Sequence, residues 1–245
     1  MPTTQSIKDS IRKLLIYLHL DITKNLEYDR LTEKIFKTVL KKHSNGIDIG
    51  CHKGEILDLF LNFAPGGLHY AFEPLPGFYK NLTLKYNDKN VVLHNIALSN
   101  TSGETEFTFV KNNPAYSGFM ERDYDNKKVE IEKIKVQMAK LDDIIPEGLK
   151  IDLIKIDVEG AELQVLEGAI NTIKNRRPTI VFEHGLGASD FYKTTPEQIF
   201  SLLHQQCGLN LYTLKSFTSN KKILSQEAFS EKFYQRKEYY FVASN

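Results

Sequence analysis

From Gly46 onward the chain alternates two kinds of hydrophobic pattern. Short, unbroken apolar runs give way to longer stretches in which apolar residues return every three to four positions. The runs read as buried strands and the stretches as amphipathic helices. GIDIG (46–50), 68–72 and 91–98 are predicted strands, with helices at 55–63 and 76–86 between them; Pro76 suits the first turn of the second helix. A strand at 105–110 alternates apolar and polar positions. It is followed by a polar, turn-rich loop at 111–127, then by an imperfectly alternating strand with a bulge or turn at 128–140. DLIKIDVE (152–159) is a strand, 161–173 a helix, 179–184 a strand and 195 to about 206 a helix. Strands at 209–214 and 239–244 complete the pattern.

Strands separated by helices of this length imply an α/β fold: a Rossmann-like, mostly parallel sheet with helices on both faces. Upstream of it, Ile7, Ile11, Leu14, Leu15 and Leu18 recur at helical spacing among charged residues, and a second helix is expected at 31–40. The first is read as packing on its own domain rather than on a membrane surface. The expected organisation is a helical extension at 1–44 and one catalytic domain at 45–245, with an insertion or lid near 105–140.

Composition narrows the function classes. In 245 residues, 32 Lys and Arg face 31 Asp and Glu, a net charge of +1. This gives no electrostatic footprint for nucleic acid. The two cysteines, Cys51 and Cys207, form no C-x-x-C pair, so neither a zinc site nor a disulfide framework is expected, and a reducing, cytoplasmic setting is. The N-terminus lacks a secretory signal pattern, and no run approaches the ~20 apolar residues of a membrane span. Neither nucleic acid nor stable membrane insertion is therefore expected, and self-association into a homodimer is left open.

Ligands of open α/β sheets bind outside the carboxyl ends of the strands. The polar residues there are Asp48 with Gly50, Glu73 with Pro74 beside it, Asn95, Asp157 with Glu159, and Glu183 with His184. The first turn, Gly50-Cys51-His52-Lys53-Gly54, lacks the middle glycine of the dinucleotide fingerprint and follows an Asp, which would repel a pyrophosphate. An acid there suits a cationic cofactor such as S-adenosylmethionine, and Glu73 can accept both hydroxyls of a ribose. A nicotinamide-dependent oxidoreductase and a non-catalytic cofactor-binding module are the competing readings.

IDIGCHKGE, AFEP, NIALSN (95–100) and above all IDLIKIDVEGAELQVLEGA (151–169) resemble the FkbM family of S-adenosylmethionine-dependent methyltransferases over about residues 46–215. The resemblance implies the seven-stranded methyltransferase fold with an antiparallel last strand. It also implies O-methylation of a hydroxyl on a small-molecule or glycan acceptor: a sugar, glycan or glycosylated or polyketide-like metabolite. By the same resemblance Asp48, Gly50 and Gly54 form the cofactor loop with Cys51 and His52 between them, and Glu73 holds the ribose. Asn95 and Ala97 line the adenine pocket, and Asp157 and Glu159 face the methyl group. Cys51-His52 stands where an Ala-Asn pair is common. For a catalytic base the candidates are Asp157, Glu159 and His184. Glu183 alternates to the opposite face from His184, so one of the two is expected in the pocket. In the 111–127 loop, Tyr116, Ser117 and Arg122 are candidate substrate contacts, AYSGFMER being similar to family sequences at the same place. Asp157, Glu159, Glu183 and His184 are oxygen-rich enough for a divalent metal, but their spacing is not diagnostic and no metal is expected.

Overall fold

The structure, a computed structural model, describes residues 23–121 and 128–245. The expected helix over 7–18 and the substrate candidate Arg122 lie outside the described residues.

In chain order the elements are α1 (Lys24–Val39), β1 (Gly46–Ile49), α2 (Glu55–Phe63), β2 (His69–Phe72), α3 (Pro76–Tyr86), β3 (Val91–His94), β4 (Ala97–Leu98), β5 (Gly103–Val110) and β6 (Ile131–Ala139). They continue with β7 (Leu153–Ile156), α4 (Glu162–Glu167), α5 (Ile170–Arg176), β8 (Thr179–Glu183), α6 (Pro196–Phe200), β9 (Asn210–Thr213), α7 (Leu214–Phe217), α8 (Gln226–Tyr234) and β10 (Tyr240–Ser244). Seven strands form one sheet in the order β3-β2-β1-β7-β8-β10-β9, and β10 runs antiparallel to both its neighbours. Connections from β1 run outward in both directions, so the sheet has a switch point beside β1 and β7, where ligands of such folds bind.

Both faces of the sheet are covered, which is why its strands read as unbroken apolar runs. On one face Ile47, Ile154, Ile180 and Phe241 pack against Val165, Leu166, Ile173, Phe200 and Phe229 of the helices. On the other, Leu153, Val181 and Val242 meet Tyr28, Leu31, Ile35 and Phe36 of α1. Thr23 caps α1 by accepting the Leu26 amide, so the apolar stripe begins a turn earlier than the sequence reading placed it.

The insertion folds as a second sheet, β4-β6-β5. Here β6 pairs with β5 in an uninterrupted antiparallel register from Gly103↔Met138 to Val110↔Ile131, without the expected bulge. The imperfect alternation of 128–140 reflects a ribbon exposed on much of both faces. Three expected elements are divided. The strand over 91–98 stops at His94, because Asn95 turns its side chain back to the preceding loop and β4 crosses to the second sheet. The helix over 161–173 breaks at Gly168, whose backbone presses on Ser99: a Cβ there would sit 2.0 Å from the Ser99 carbonyl oxygen. Asp142 then accepts the amides of Asn171 and Thr172 and starts α5. The helix from 195 keeps α-geometry only to Phe200, then widens into a π-helical turn, Ser201–Gln206. Helices α7 and α8 were not anticipated.

Candidate active site

The strand registers set the site. Ile49 lies opposite Phe72 and Ile156, Phe72 opposite His94, and Ile156 opposite Phe182. One residue further along each strand therefore places Asn95, Glu73, Gly50, Asp157 and Glu183 in one row across the carboxyl edge. All of these but Asn95 line a cleft of about 1410 Å³, floored by the strand ends and walled by α1, the 114–119 segment and the 185–188 loop.

On the β1–β3 side the backbone holds the polar groups. Gly50 adopts φ +82° and its amide, with that of Cys51, donates to the Phe72 carbonyl at 3.0 and 3.2 Å. A Cβ on Gly50 would lie 1.9 Å from the Asp157 carbonyl oxygen, so the close approach of two backbones demands glycine. His52, at φ +45°, donates its amide to Glu73 Oε2 at 2.8 Å, and the Leu75 amide reaches Glu73 Oε1 at 2.9 Å. Each Glu73 oxygen keeps a free lone pair. Burial pushes the Glu73 carboxyl up to about 7 against these two bonds. Asp48 is 1% exposed and its Oδ2 has no partner among the described residues. Burial raises its pKa to about 8, although Lys155 on the neighbouring strand pulls the other way. Asp48 itself does not line the cleft, but a buried carboxyl with an unpartnered oxygen two residues before a glycine turn favours a cation brought close to that turn.

The other loop candidates divide into cleft and support. Cys51 is buried against Leu57, Ala71, Leu82 and Tyr86, and burial pushes its thiol well up, so it is an inert packing residue at the cleft edge. The His52 ring rests 4.3 Å from Phe78, and burial holds it below its usual pKa. Gly54 does not line the cleft. It supplies the left-handed turn that opens α2, and its carbonyl accepts the Tyr86 hydroxyl at 2.8 Å. Asn95 also stands back: it donates to the Glu73 and Pro74 carbonyls at 2.8 and 3.0 Å and steadies that loop. The surface it was expected to provide comes from Pro74, Ile96, Ala97 and Leu98.

On the β7–β10 side, side chains hold side chains. Lys155, 3% exposed, donates to Asp157 Oδ2 at 3.0 Å, and the Tyr240 hydroxyl donates to the same oxygen at 2.5 Å. The Lys155 ammonium sits 4.6 Å from the centre of the Tyr240 ring. Glu183 lies opposite Tyr240 in the register, with Asp157 on the neighbouring strand end. Burial opposes the charge of Asp157. The Lys155 ammonium, with bonds from Tyr240 and Lys155, overcomes it and holds Asp157 below the usual range. Burial and then the Asp157 charge push Glu183 well above the carboxylate range. Glu159 lines the same wall at φ +57°, a conformation costly for a residue with a side chain. Glu162 instead accepts the Val158 and Gly160 amides at 3.3 and 3.1 Å and serves the start of α4.

His184 is not a base candidate in this structure. It is 0% exposed, points away from the cleft, and stacks on Phe233 and Phe229 at 4.5 and 5.9 Å. Burial lowers its pKa to about 3. Strand alternation turned Glu183 inward and His184 outward, where α8 covers it.

Tyr116 and Ser117 line the cleft, as expected, with Phe119 beside them. The buried Ser117 hydroxyl already accepts the Val110 amide at 3.0 Å. Sequence reasoning missed the wall made by Asn25, Tyr28, Tyr239 and Tyr240. Tyr28 donates to Glu238 at 2.6 Å and accepts the Tyr239 amide at 3.2 Å, while the Tyr239 hydroxyl bonds Asn25. The available signal was the expected antiparallel last strand, which puts Tyr240 beside Glu183. Among the described residues no three of His, Cys, Asp and Glu converge on a metal-holding geometry, and no helix is long and apolar enough to cross a membrane.

Residues 48–211 match the family model described as the methyltransferase FkbM domain. Among solved structures, the fold is similar to the FkbM methyltransferase of Methylobacillus flagellatus KT, with a TM-score of 0.51 and 14% identity over 85% of this chain and 47% of that one. This chain thus spans about half the length of that relative. Matches at lower TM-scores include a Streptococcus mutans protein described as a methyltransferase and solved with SAH, at 0.46, 13% identity, and 91% and 99% coverage of this chain and that one. An rRNA methylase of Streptococcus thermophilus matches at 0.44, 12% identity, and 87% and 92% coverage. A search of curated proteins returned no match.

Proposed function

Since this chain belongs to the FkbM methyltransferase family, we propose that it moves a methyl group from S-adenosylmethionine to a hydroxyl oxygen of a sugar, glycan or glycosylated or polyketide-like metabolite. One observation carries the cofactor reading: Asp48, buried, with Oδ2 unpartnered among the described residues and its pKa raised to about 8, stands two residues before the tight Gly50 turn, with Glu73 one strand away. A cationic amino-acid end satisfies that carboxyl, and a pyrophosphate would worsen its position.

The residues present fit the group. Asp48 and the Gly50–His52 turn would take its charged end, Glu73 its ribose through the lone pairs left free, and Ile96, Ala97 and Leu98 its base. When bound, S-adenosylmethionine supplies an electrophilic methyl group on a positively charged sulfur. The protein then has two tasks. The cleft walls align the acceptor oxygen, and well-oriented groups reach effective molarities of roughly 10⁵–10⁸ M. Asp157, ionised and a third exposed at 32%, takes the proton of the acceptor hydroxyl, a contribution of about 10²–10⁴-fold. In balance, one O–H and one S–C bond break, one O–C bond forms, and the proton leaves on Asp157. Aromatic rings of Tyr116, Tyr28 and Tyr239 with nearby carboxylates suit the faces and hydroxyls of a sugar.

Transfer of label from methyl-labelled S-adenosylmethionine to a panel of sugars and glycolipids tests the reading. Label recovered as a methyl ether is expected; label recovered only on nitrogen or sulfur would overturn the hydroxyl assignment.

A further inference from the structure

Two carboxyl groups brought side by side resist both being charged. Asp157 follows β7 and Glu183 ends β8, each one step beyond the paired Ile156 and Phe182. Which of them is charged depends on the donors around them. Lys155 and Tyr240 both donate to Asp157 Oδ2, at 3.0 and 2.5 Å. Tyr240 is fixed in turn by Lys155 against one part of its ring and by Tyr28 of α1, whose ring lies 5.1 Å away. Tyr240 and Tyr28 both fall outside the 48–211 segment that matches the family.

We infer that Tyr240 is a positioning residue: its hydroxyl, with the Lys155 ammonium, places the negative charge of the pair on Asp157 and leaves Glu183 as the neutral member. This rests on the reading of the cleft as an S-adenosylmethionine site with its methyl end near Asp157. The other charged or titratable groups facing the pair are Asp48 on β1, Glu73 after β2, His52 in the first turn, Glu159 and Glu162 after β7, and Tyr239 on the approach to β10. Most are carboxyls and push charge off both members, so the two donors decide where it stays. The arrangement keeps a base ready beside the acceptor while only one negative charge is buried there, and it separates the roles of two neighbouring acids.

A test independent of any acceptor uses the sulfonium as a charge probe. S-adenosylmethionine and S-adenosylhomocysteine differ at that position by one methyl and one positive charge, so the ratio of their dissociation constants reports the charge on Asp157. In the wild-type protein a preference for the sulfonium persists at pH 5, where Asp48 and Glu73 are already protonated and Asp157 is still ionised. Tyr240→Phe keeps the ring and removes the donor, so Asp157 protonates at higher pH and the preference at pH 5 falls by about tenfold. Carboxyl-carbon NMR of Asp157 gives a second readout, its titration midpoint moving upward in the variant. If both compounds bind and the variant keeps the wild-type ratio and midpoint, the inference is wrong. If the wild-type protein binds neither compound, the functional reading beneath it is wrong instead.

Discussion

At the β2 end of the cleft Glu73 is held by two backbone amides, whereas at the β7 end Asp157 is held by the side chains of Lys155 and Tyr240, with Glu183 beside it. The first arrangement fixes a carboxyl in place, because one amide belongs to the Gly50 turn and the other to the loop that follows β2. The second fixes a charge as well as a place, through a lysine, a tyrosine and a neighbouring acid contributed by three strands. Binding a constant part of a ligand needs only the first. Moving a proton at a chosen moment needs the second. On the proposed function, one side of the cleft serves as a rigid receptor and the other handles the proton.

The strongest way to separate the sides is Asp157→Asn. It should lower turnover by about 10²–10⁴-fold and leave S-adenosylhomocysteine binding within a few-fold of wild type. Loss of binding to the same degree would show that the sides are not separable. Next, Gly50→Ala should damage both together. The added Cβ meets a backbone oxygen at 1.9 Å in a conformation at φ +82°, a cost of about 3 kcal/mol or more, seen as a fall in melting temperature. Glu73→Ala should act on the receptor side alone, weakening cofactor binding by about 2–3 kcal/mol in calorimetry; an unchanged dissociation constant would remove Glu73 from the site.

The receptor side also predicts a pH dependence. Asp48 and Glu73 rise from 3.8 and 4.5 to about 8 and about 7 on folding. Between those limits the folded chain binds more protons than the unfolded one, so these groups cost the ligand-free protein stability as pH rises from about 4 to 8. Binding of a cationic cofactor favours the ionised carboxyls, so its affinity should strengthen over the same range with release of protons. An affinity that is flat from pH 5 to 8 would mean that no cation meets Asp48. The smallest effect is expected at His184, whose ring nitrogens have no partner among the described residues. His184→Phe should change stability by about 1 kcal/mol or less and leave the pH–rate profile alone.

The receptor side was legible in the sequence because it is contiguous. Asp48, Gly50 and Glu73 belong to one strand-turn-helix-strand unit, and strand ends could be placed from the apolar runs alone. Asn95 and Gly54 were read as cofactor contacts since the pattern marks a strand end or a turn, not which way a side chain points. The proton-handling side depends on distant register. Lys155 reads as a strand residue until Asp157 and Tyr240 are brought beside it, and Tyr240 is 83 positions from the carboxylate it serves. His184 reads as a base candidate in the sequence because nothing local marks α8, with Phe229 and Phe233 one turn apart, as the helix that covers it.

The central claim is that the Gly50 turn, with Asp48 two residues before it and Glu73 beside it, is built for a cationic nucleoside rather than a dinucleotide. Calorimetric titration of the wild-type protein with S-adenosylmethionine, S-adenosylhomocysteine and NAD tests it directly. Saturable binding of the first two and none of NAD is the predicted result; binding of NAD with neither of the others would contradict it.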